Sequence, residues 1–278
     1  MDLLSGLSKE VVENIMEHSK GILEIDEYCE KHPRYKKMML PDGRAICPVC
    51  YKDERDGLVS KENSEAYYAD SVEGRRKYLY KNSVVSNKSV LDKGFKTFFT
   101  KTDNEKSIRQ EATLLIEPLA SGDAMTVYLQ GAPGSGKSHL ASSMIKNINA
   151  LANGKKCLFM NFPTLQQRIR ASYNNQMSSD SEGKFIDQMT QADILVLDDI
   201  ASEINPLSIQ GQVSDFSARI LYAVMDARAE SKPTIITSNI PWRELENLLD
   251  PRVYSRMSHK IKVITFSGIR DKRKGAIG

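Results

Sequence analysis

Between residues 127 and 265 the chain alternates short apolar runs with longer stretches whose apolar positions recur every three or four residues. The runs at 127–129, 157–160, 194–197, 234–237 and 261–265 have strand length, while 139–151 and 216–229 carry helical spacing. An apolar run without polar alternation is buried on both faces, and strands separated by helices need crossover connections. The pattern predicts a mostly parallel sheet with helices on both sides, whose ligands bind at the carboxyl ends of the strands. Upstream the pattern differs. Residues 7–28 place Val11, Val12, Ile15, Met16, Ile22, Leu23 and Ile25 at helical spacing broken by Gly21, which predicts a short helical element. Residues 60–90 turn polar, with Arg75, Arg76, Lys77 and Lys81 on a predicted helix, and read as a connector. The expected organisation is a small module at 1–58, a helical linker at 59–90 and an α/β domain at 91–278.

Chemistry enters at the first of these strands. Residues 131–138 read G-A-P-G-S-G-K-S, between the run 127–129 and the helical stretch that follows. Gly131, Gly134 and Gly136 let the backbone turn its N–H groups inward, and the helix that follows adds the positive end of its dipole, so a pyrophosphate fits. Ala132, Pro133, Ser135 and His139 complete the segment; Lys137 reaches the β- and γ-phosphates and the Ser138 hydroxyl joins the shell of Mg²⁺. The expected ligand is ATP with Mg²⁺. The strand at 194–197 runs into Asp198 and Asp199: the first acid suits Mg²⁺, and the second suits the attacking water. The strand at 234–237 runs into Ser238 and Asn239, and that amide can orient the water or the γ-phosphate. Downstream, Arg252 and Arg256 are candidates for an arginine that reaches a neighbouring subunit's γ-phosphate and makes hydrolysis depend on assembly.

Cysteine spacing adds a second site. Cys29 and His32, then Cys47 and Cys50, form C-x2-H and C-x2-C separated by fourteen residues, the spacing of two knuckles that meet on one tetrahedral Zn²⁺. A module this small cannot bury enough apolar surface, so a metal supplies folding energy. Cys157 stands alone in a predicted strand and reads as a small core residue.

Composition bounds these readings without deciding among them. The chain has 278 residues, 40% hydrophobic and 27% charged, and no apolar stretch near membrane-spanning length. The N-terminus lacks the basic and apolar regions of a secretory signal, so a cytoplasmic location with reduced cysteines is expected. Net charge is only +3, from 39 basic against 36 acidic residues, but the basic residues concentrate after Arg252.

In combination, G-A-P-G-S-G-K-S-H-L-A, L-V-L-D-D-I, R-I-L-Y-A-V-M-D-A-R, K-P-T-I-I-T-S-N and the S-R-M of Ser255, Arg256 and Met257 resemble the AAA+ ATPase domain of bacterial and phage DnaC/DnaI-type replicative helicase loaders. The resemblance covers roughly residue 91 to the C-terminus. It implies an AAA+ P-loop fold with a central parallel sheet and no separate lid domain. It also implies that Asp198 is the Mg²⁺-binding Walker B acid, Asn239 is sensor 1, and Arg256 is an arginine finger acting in trans. Asp199 stands where many AAA+ proteins have Glu, and either Arg270 or Arg273 takes the sensor-2-like role. The Cys/His module resembles the zinc-bearing, helicase-binding domain of DnaI-like loaders.

In related loaders the segment between the second and third strands lines a channel for single-stranded DNA. Here it carries Phe162, Arg168, Arg170, Tyr173 and Lys184, aromatic rings for stacking and cations for phosphates. The expected function is ATP-dependent loading of a hexameric DnaB-like helicase onto single-stranded DNA by a homo-oligomer. Three other classes remain: an IstB-like ATPase assisting a transposase, a small-molecule P-loop kinase, and a regulatory module with negligible turnover.

Overall fold

The computed structural model describes residues 23–40, 42–151, 154–173, 179–202 and 214–272. Two units divide between Tyr68 and Ala69. In the first, β1 (Leu23–Tyr28), β2 (Lys36–Met39) and β3 (Ala45–Ile46) form an antiparallel sheet in that order, followed by the long polar helix α1 (Pro48–Asp70). The helix expected over residues 7–28 is therefore corrected at its described end, where Leu23–Tyr28 is a strand; residues 7–22 lie outside the described residues. Leu23-Glu24-Ile25-Asp26 alternates with the period of a strand, and its acids meet cations across the pair: Lys36 lies 3.0 Å from Asp26 and 3.7 Å from Glu24, and Lys37 lies 3.2 Å from Glu27.

The second unit runs through α2 (Val72–Asn82), α3 (Ser89–Asp92), a 3₁₀ turn (Phe95–Thr97), α4 (Asp103–Leu114) and α5 (Ile116–Ser121). It continues through β4 (Thr126–Gly131), α6 (Lys137–Leu151), β5 (Cys157–Asn161), α7 (Phe162–Tyr173), α8 (Glu182–Gln191) and β6 (Ile194–Ile200). Then come α9 (Asp215–Arg228), β7 (Thr234–Ser238), α10 (Trp242–Leu245), α11 (Pro251–Met257) and β8 (Ile261–Phe266). The five strands pair in parallel in the order β5-β6-β7-β4-β8, so β4 sits between β7 and β8 and its carboxyl end opens next to theirs.

Strand alternation sorts the core into two layers. Val127, Leu129, Phe159, Val196 and Ile235 meet Leu140, Ala141, Met144, Ile145 and Ile148 of α6. Tyr128, Leu158, Met160, Leu195, Leu197 and Ile236 meet Leu165 and Ile169 of α7, Phe185 and Met189 of α8, and Ile220, Leu221 and Val224 of α9. Each fully buried Leu, Ile or Met contributes about 1.5–3 kcal/mol of transfer free energy, which makes this double-sided burial the main source of stability. Helix α2, within the segment expected to be a connector, packs Leu79 fully into the α6 layer. Beyond it Val84 donates to Phe159 O at 3.0 Å and accepts from Asn161 N at 2.7 Å, covering the outer edge of β5. Among the described residues no helix is long and apolar enough to cross a membrane.

An arginine lies fully inside this core. Arg228 is fully buried and donates to Met189 O and Pro233 O at 2.7 Å each, to Asp193 O at 3.4 Å and to Thr234 Oγ1 at 3.0 Å, tying the end of α8 to the starts of β6 and β7. Burial pushes its pKa down to about 9, with Asp193 opposing, so it stays cationic at neutral pH. Arg228→Met leaves buried carbonyls without donors and is expected to cost roughly 3 kcal/mol, read as a lowered midpoint in denaturant unfolding. A midpoint unchanged from wild type would contradict this.

Candidate nucleotide site and metal centre

The cradle forms because β4 ends at Gly131 and α6 begins at Lys137, leaving the intervening residues to turn. Gly131, Gly134 and Gly136 take φ values of 152°, 77° and 106°, which side-chain-bearing residues rarely adopt. Close approach restricts two of them further: a Cβ on Gly131 would lie 2.6 Å from Phe266 Cβ, and one on Gly134 would lie 1.9 Å from an Asp271 carboxylate oxygen. Ala132 and Pro133 are exposed, and Ser135 is buried with no hydrogen-bond partner for its Oγ among the described residues. Such an orphaned hydroxyl in a loop of inward-facing turns fits an anionic guest.

Lys137 is 6% exposed, and its ammonium donates to Gly131 O at 2.8 Å, Ala132 O at 3.0 Å and Asn239 Oδ1 at 2.8 Å. Asn239 in turn donates from Nδ2 to Asp199 Oδ1 at 3.4 Å, so one amide joins the cradle lysine to the second acid of β6. Asp198 is buried, and its two oxygens accept from Thr237 Oγ1 at 2.8 Å and from Asn161 Nδ2 at 3.1 Å. The Asp199 N–H donates to Thr237 Oγ1 at 2.9 Å. An irregularity in the β6–β7 register falls between Leu197 and Ile200, where Asp199 takes a positive φ of 63°, and Ala201 just after it takes 58°. That bulge turns Asp199 toward Asn239 while Asp198 stays in strand register opposite Asn161. The arrangement sets a cation, an amide and two carboxylates along neighbouring strand ends; Ser138 and Asp198 are the residues that would hold Mg²⁺, which supplies charge neutralisation for a triphosphate.

Other expected site residues lie elsewhere. His139 turns away from the cradle: its Nε2 lies 3.1 Å from Thr97 Oγ1 and 3.2 Å from Gly94 O, and its ring meets Phe98 edge-on. Burial, helped by Lys93 and Lys272, holds its pKa below the ordinary histidine value, so it favours the neutral form. Arg256 pairs with Asp226 of α9 at 2.7 Å on the surface, and Arg252 pairs with the helix-capping Asp250 at 2.9 Å. Arg270 is exposed, while Arg273 lies outside the described residues. The terminal contacts on the cradle come instead from Asp271 against Gly134 and from the Lys272 N–H, which donates to Gly134 O at 3.0 Å.

The expected nucleic-acid residues need one correction. Phe162 is 1% exposed in the core, because α7 starts directly at the end of β5 and turns that ring inward, so it cannot stack on a base. Arg168 pairs with Asp180 at 2.6 Å, Arg170 covers the Phe216 ring, the Tyr173 hydroxyl bonds Glu182, and Lys184 donates to Ser179 O at 2.7 Å. Those four remain exposed.

In the first unit Cys29, His32, Cys47 and Cys50 bring one ligand atom each within 4.8 Å of one another. Cys29 Sγ lies 3.7 Å from Cys50 Sγ, and His32 Nδ1 lies 3.8, 3.7 and 3.2 Å from the sulfurs of Cys29, Cys47 and Cys50. Tetrahedral zinc with bonds of about 2.3 Å to sulfur and 2.0 Å to nitrogen sets its ligands roughly 3.5–3.8 Å apart, so the set fits that ion. Burial pushes the Cys50 thiol up, as do the Cys29 and Cys47 sulfurs, to about 11. For Cys29 burial also raises the pKa, but the hydrogen bonds from His32 outweigh it and bring the thiol down to about 6.

Sheet, cradle and strand-end acids define a P-loop ATP-binding domain of the AAA+ class. The chain matches the IstB-like ATP binding protein family over residues 76–274 and belongs to it. It is 30% identical over 128 residues to the replicative helicase loader DnaC of Buchnera aphidicola subsp. Baizongia pistaciae, covering 46% of this chain and 48% of that protein. Against the replicative helicase loader DnaC of Escherichia coli strain K12 it is 25% identical over 164 residues, covering 59% and 62%. The chain thus spans about half to three fifths of these curated relatives. Two solved structures share the fold: the DnaC helicase loader, with a TM-score of 0.53 and 20% identity over 64% of this chain and 99% of that one, and DnaI, with 0.52 and 18% over 66% and 95%.

Sequence reasoning missed Asn161 and Thr237, although each is a polar residue closing an apolar strand, which is the available signal. It also missed Glu105, whose carboxylate meets Lys272 at 2.8 Å. Burial opposes ionisation of Glu105, but Lys272 and the Lys101 and Thr102 N–H groups hold its pKa down to about 2. A depressed carboxylate pKa stabilises the fold above the unfolded value, about pH 4.3, and loses that contribution as pH falls toward 2. Glu105→Gln is expected to lower the thermal midpoint at pH 7, with the gap to wild type closing below pH 4. A gap that stays constant with pH would refute this.

Proposed function

We propose that this protein is an ATP-dependent loader of a hexameric replicative helicase onto single-stranded DNA, with the second unit, from Ala69 onward, as the ATPase and the first unit as the helicase-gripping module. The observation that carries the ATPase part is the continuous polar link from Lys137 through Asn239 to Asp199 beside buried Asp198. Lys137 binds the β- and γ-phosphates, Ser138 and Asp198 hold Mg²⁺, and Asp199 accepts the proton of the attacking water while Asn239 fixes its position against Lys137. Arg256 leaves Asp226 to reach a neighbouring subunit's phosphate, where its charge offsets that of the transition state. The similarity to replicative helicase loaders supports the partner, and the four-ligand Cys/His set supports a zinc-folded docking module. Zinc bound by Cys29, His32, Cys47 and Cys50 supplies folding energy to that module. Arg168, Arg170, Tyr173 and Lys184 contact single-stranded DNA, so binding weakens steeply with salt. The family match favours a second reading, an ATPase that assists a transposase.

Co-precipitation of the purified protein with a DnaB-like hexamer, in parallel with an IS21-type transposase, separates the two readings: capture of the helicase alone supports loading, and capture of the transposase alone overturns it. Lys137→Ala is expected to abolish nucleotide binding. Arg256→Ala is expected to lower DNA-stimulated turnover by about 1000-fold with nucleotide affinity intact; normal stimulated turnover removes the trans assignment. Elemental analysis is expected to find one zinc per chain, lost in Cys50→Ser together with helicase capture; a metal-free wild type that captures helicase refutes the zinc role.

A further inference from the structure

We propose that Lys272 is a positioning residue for the phosphate loop, clamping its outer face to the first turn of α4 through Glu105. This rests on the nucleotide-site reading above and extends it to residues that touch no phosphate.

The clamp has two ends. At the loop end, the Lys272 N–H donates to Gly134 O at 3.0 Å, and the lysine Cδ passes 3.8 Å from where a Cβ on Gly136 would stand. Phe98, buried to 2% exposure, closes the same side of Gly136, its Cε2 3.2 Å from that point. At the anchor end, the Lys272 ammonium reaches Glu105 Oε1 at 2.8 Å and Phe99 O at 3.1 Å, and lies 4.3 Å from the centre of the Phe98 ring.

The anchor cannot follow the lysine if the loop shifts. Glu105 is 5% exposed, and its other oxygen is already bound by the N–H groups of Lys101 at 2.6 Å and Thr102 at 3.0 Å in the capping box of α4. A buried carboxylate fixed by two main-chain donors at a helix N-terminus is a rigid post for a cation.

The reason such a post matters lies in the loop itself. Glycines at 131, 134 and 136 make its phosphate-cradling shape costly in chain entropy, because each glycine has more conformations to give up than any other residue. The start of the loop is anchored by Lys137, which holds Gly131 O and Ala132 O. Gly134 and Gly136 lie beyond those two carbonyls, and Lys272 reaches both. Holding them before a ligand arrives lowers the ordering cost of binding, which appears as affinity.

The test is titration calorimetry of Mg-ATP with the full chain, alongside thermal midpoints, for wild type, Lys272→Met, Lys272→Arg, Glu105→Gln and the Lys272→Met/Glu105→Gln double variant. The expected result is a Kd about tenfold weaker in Lys272→Met, largely restored in Lys272→Arg, with the double variant no weaker than the worse single, because both act through one link. A lowered midpoint with wild-type Kd in Lys272→Met assigns the contact to stability alone and overturns the proposal, as do additive losses in the double variant. If Lys272→Met does not fold, the near-isosteric Glu105→Gln decides: weakened Kd supports the clamp and unchanged Kd removes it. Lys137→Ala serves as the separate control, since a variant that binds Mg-ATP as wild type does would sink the nucleotide-site reading itself.

Discussion

Everything at the working edge of the sheet depends on accommodating one ammonium where almost no water reaches. Lys137 sits at the base of a glycine loop with little exposure, and a buried cation is tolerated only when its donors are satisfied. Two loop carbonyls and the Asn239 amide do this, and the amide passes the constraint on to Asp199. The parallel order of the strands makes the solution possible, because β7 lies between β4 and β6 and so brings Asn239 within reach of both the loop and the acids. A different strand order would leave the same residues in the sequence and no chain of contacts between them.

The sequence was most readable where a pattern is local. Five apolar runs became the five parallel strands, and the glycine spacing located the turn, because both features are set by neighbours in the chain. It was least readable where long-range packing decides. Phe162 looks from its neighbours like a ring available for stacking, yet the immediate passage from β5 into α7 turns it into the core. Leu23–Tyr28 continued a helical spacing on paper, but its alternating acids found lysines on an adjacent strand. Glu105 could be read only as the last residue of a T-x-x-E helix cap, and its pairing with Lys272 carried no signal, because the two lie far apart in the chain.

The two units of the chain hold polar atoms in place by different physics. In the sheet-bearing unit, apolar layers on both faces fix the strands, and the strands fix the acids, with Arg228 joining connections that packing alone would leave loose. In the first unit the strands are short, exposed ion pairs link β1 to β2, and three sulfurs and one imidazole converge.

The single tryptophan bridges two elements of the sheet-bearing unit. The Trp242 N–H bonds Gln130 Oε1, one residue before the cradle begins, while its ring stacks on Tyr254 at 4.7 Å and meets Tyr128 at 5.1 Å. Tyr254 lies on α11, the helix that carries Arg256. Ring contacts therefore connect the strand that ends in the cradle to the helix that bears Arg256. One indole thus joins, within a single subunit, the end of the strand that leads into the phosphate loop and the helix whose guanidinium faces Asp226.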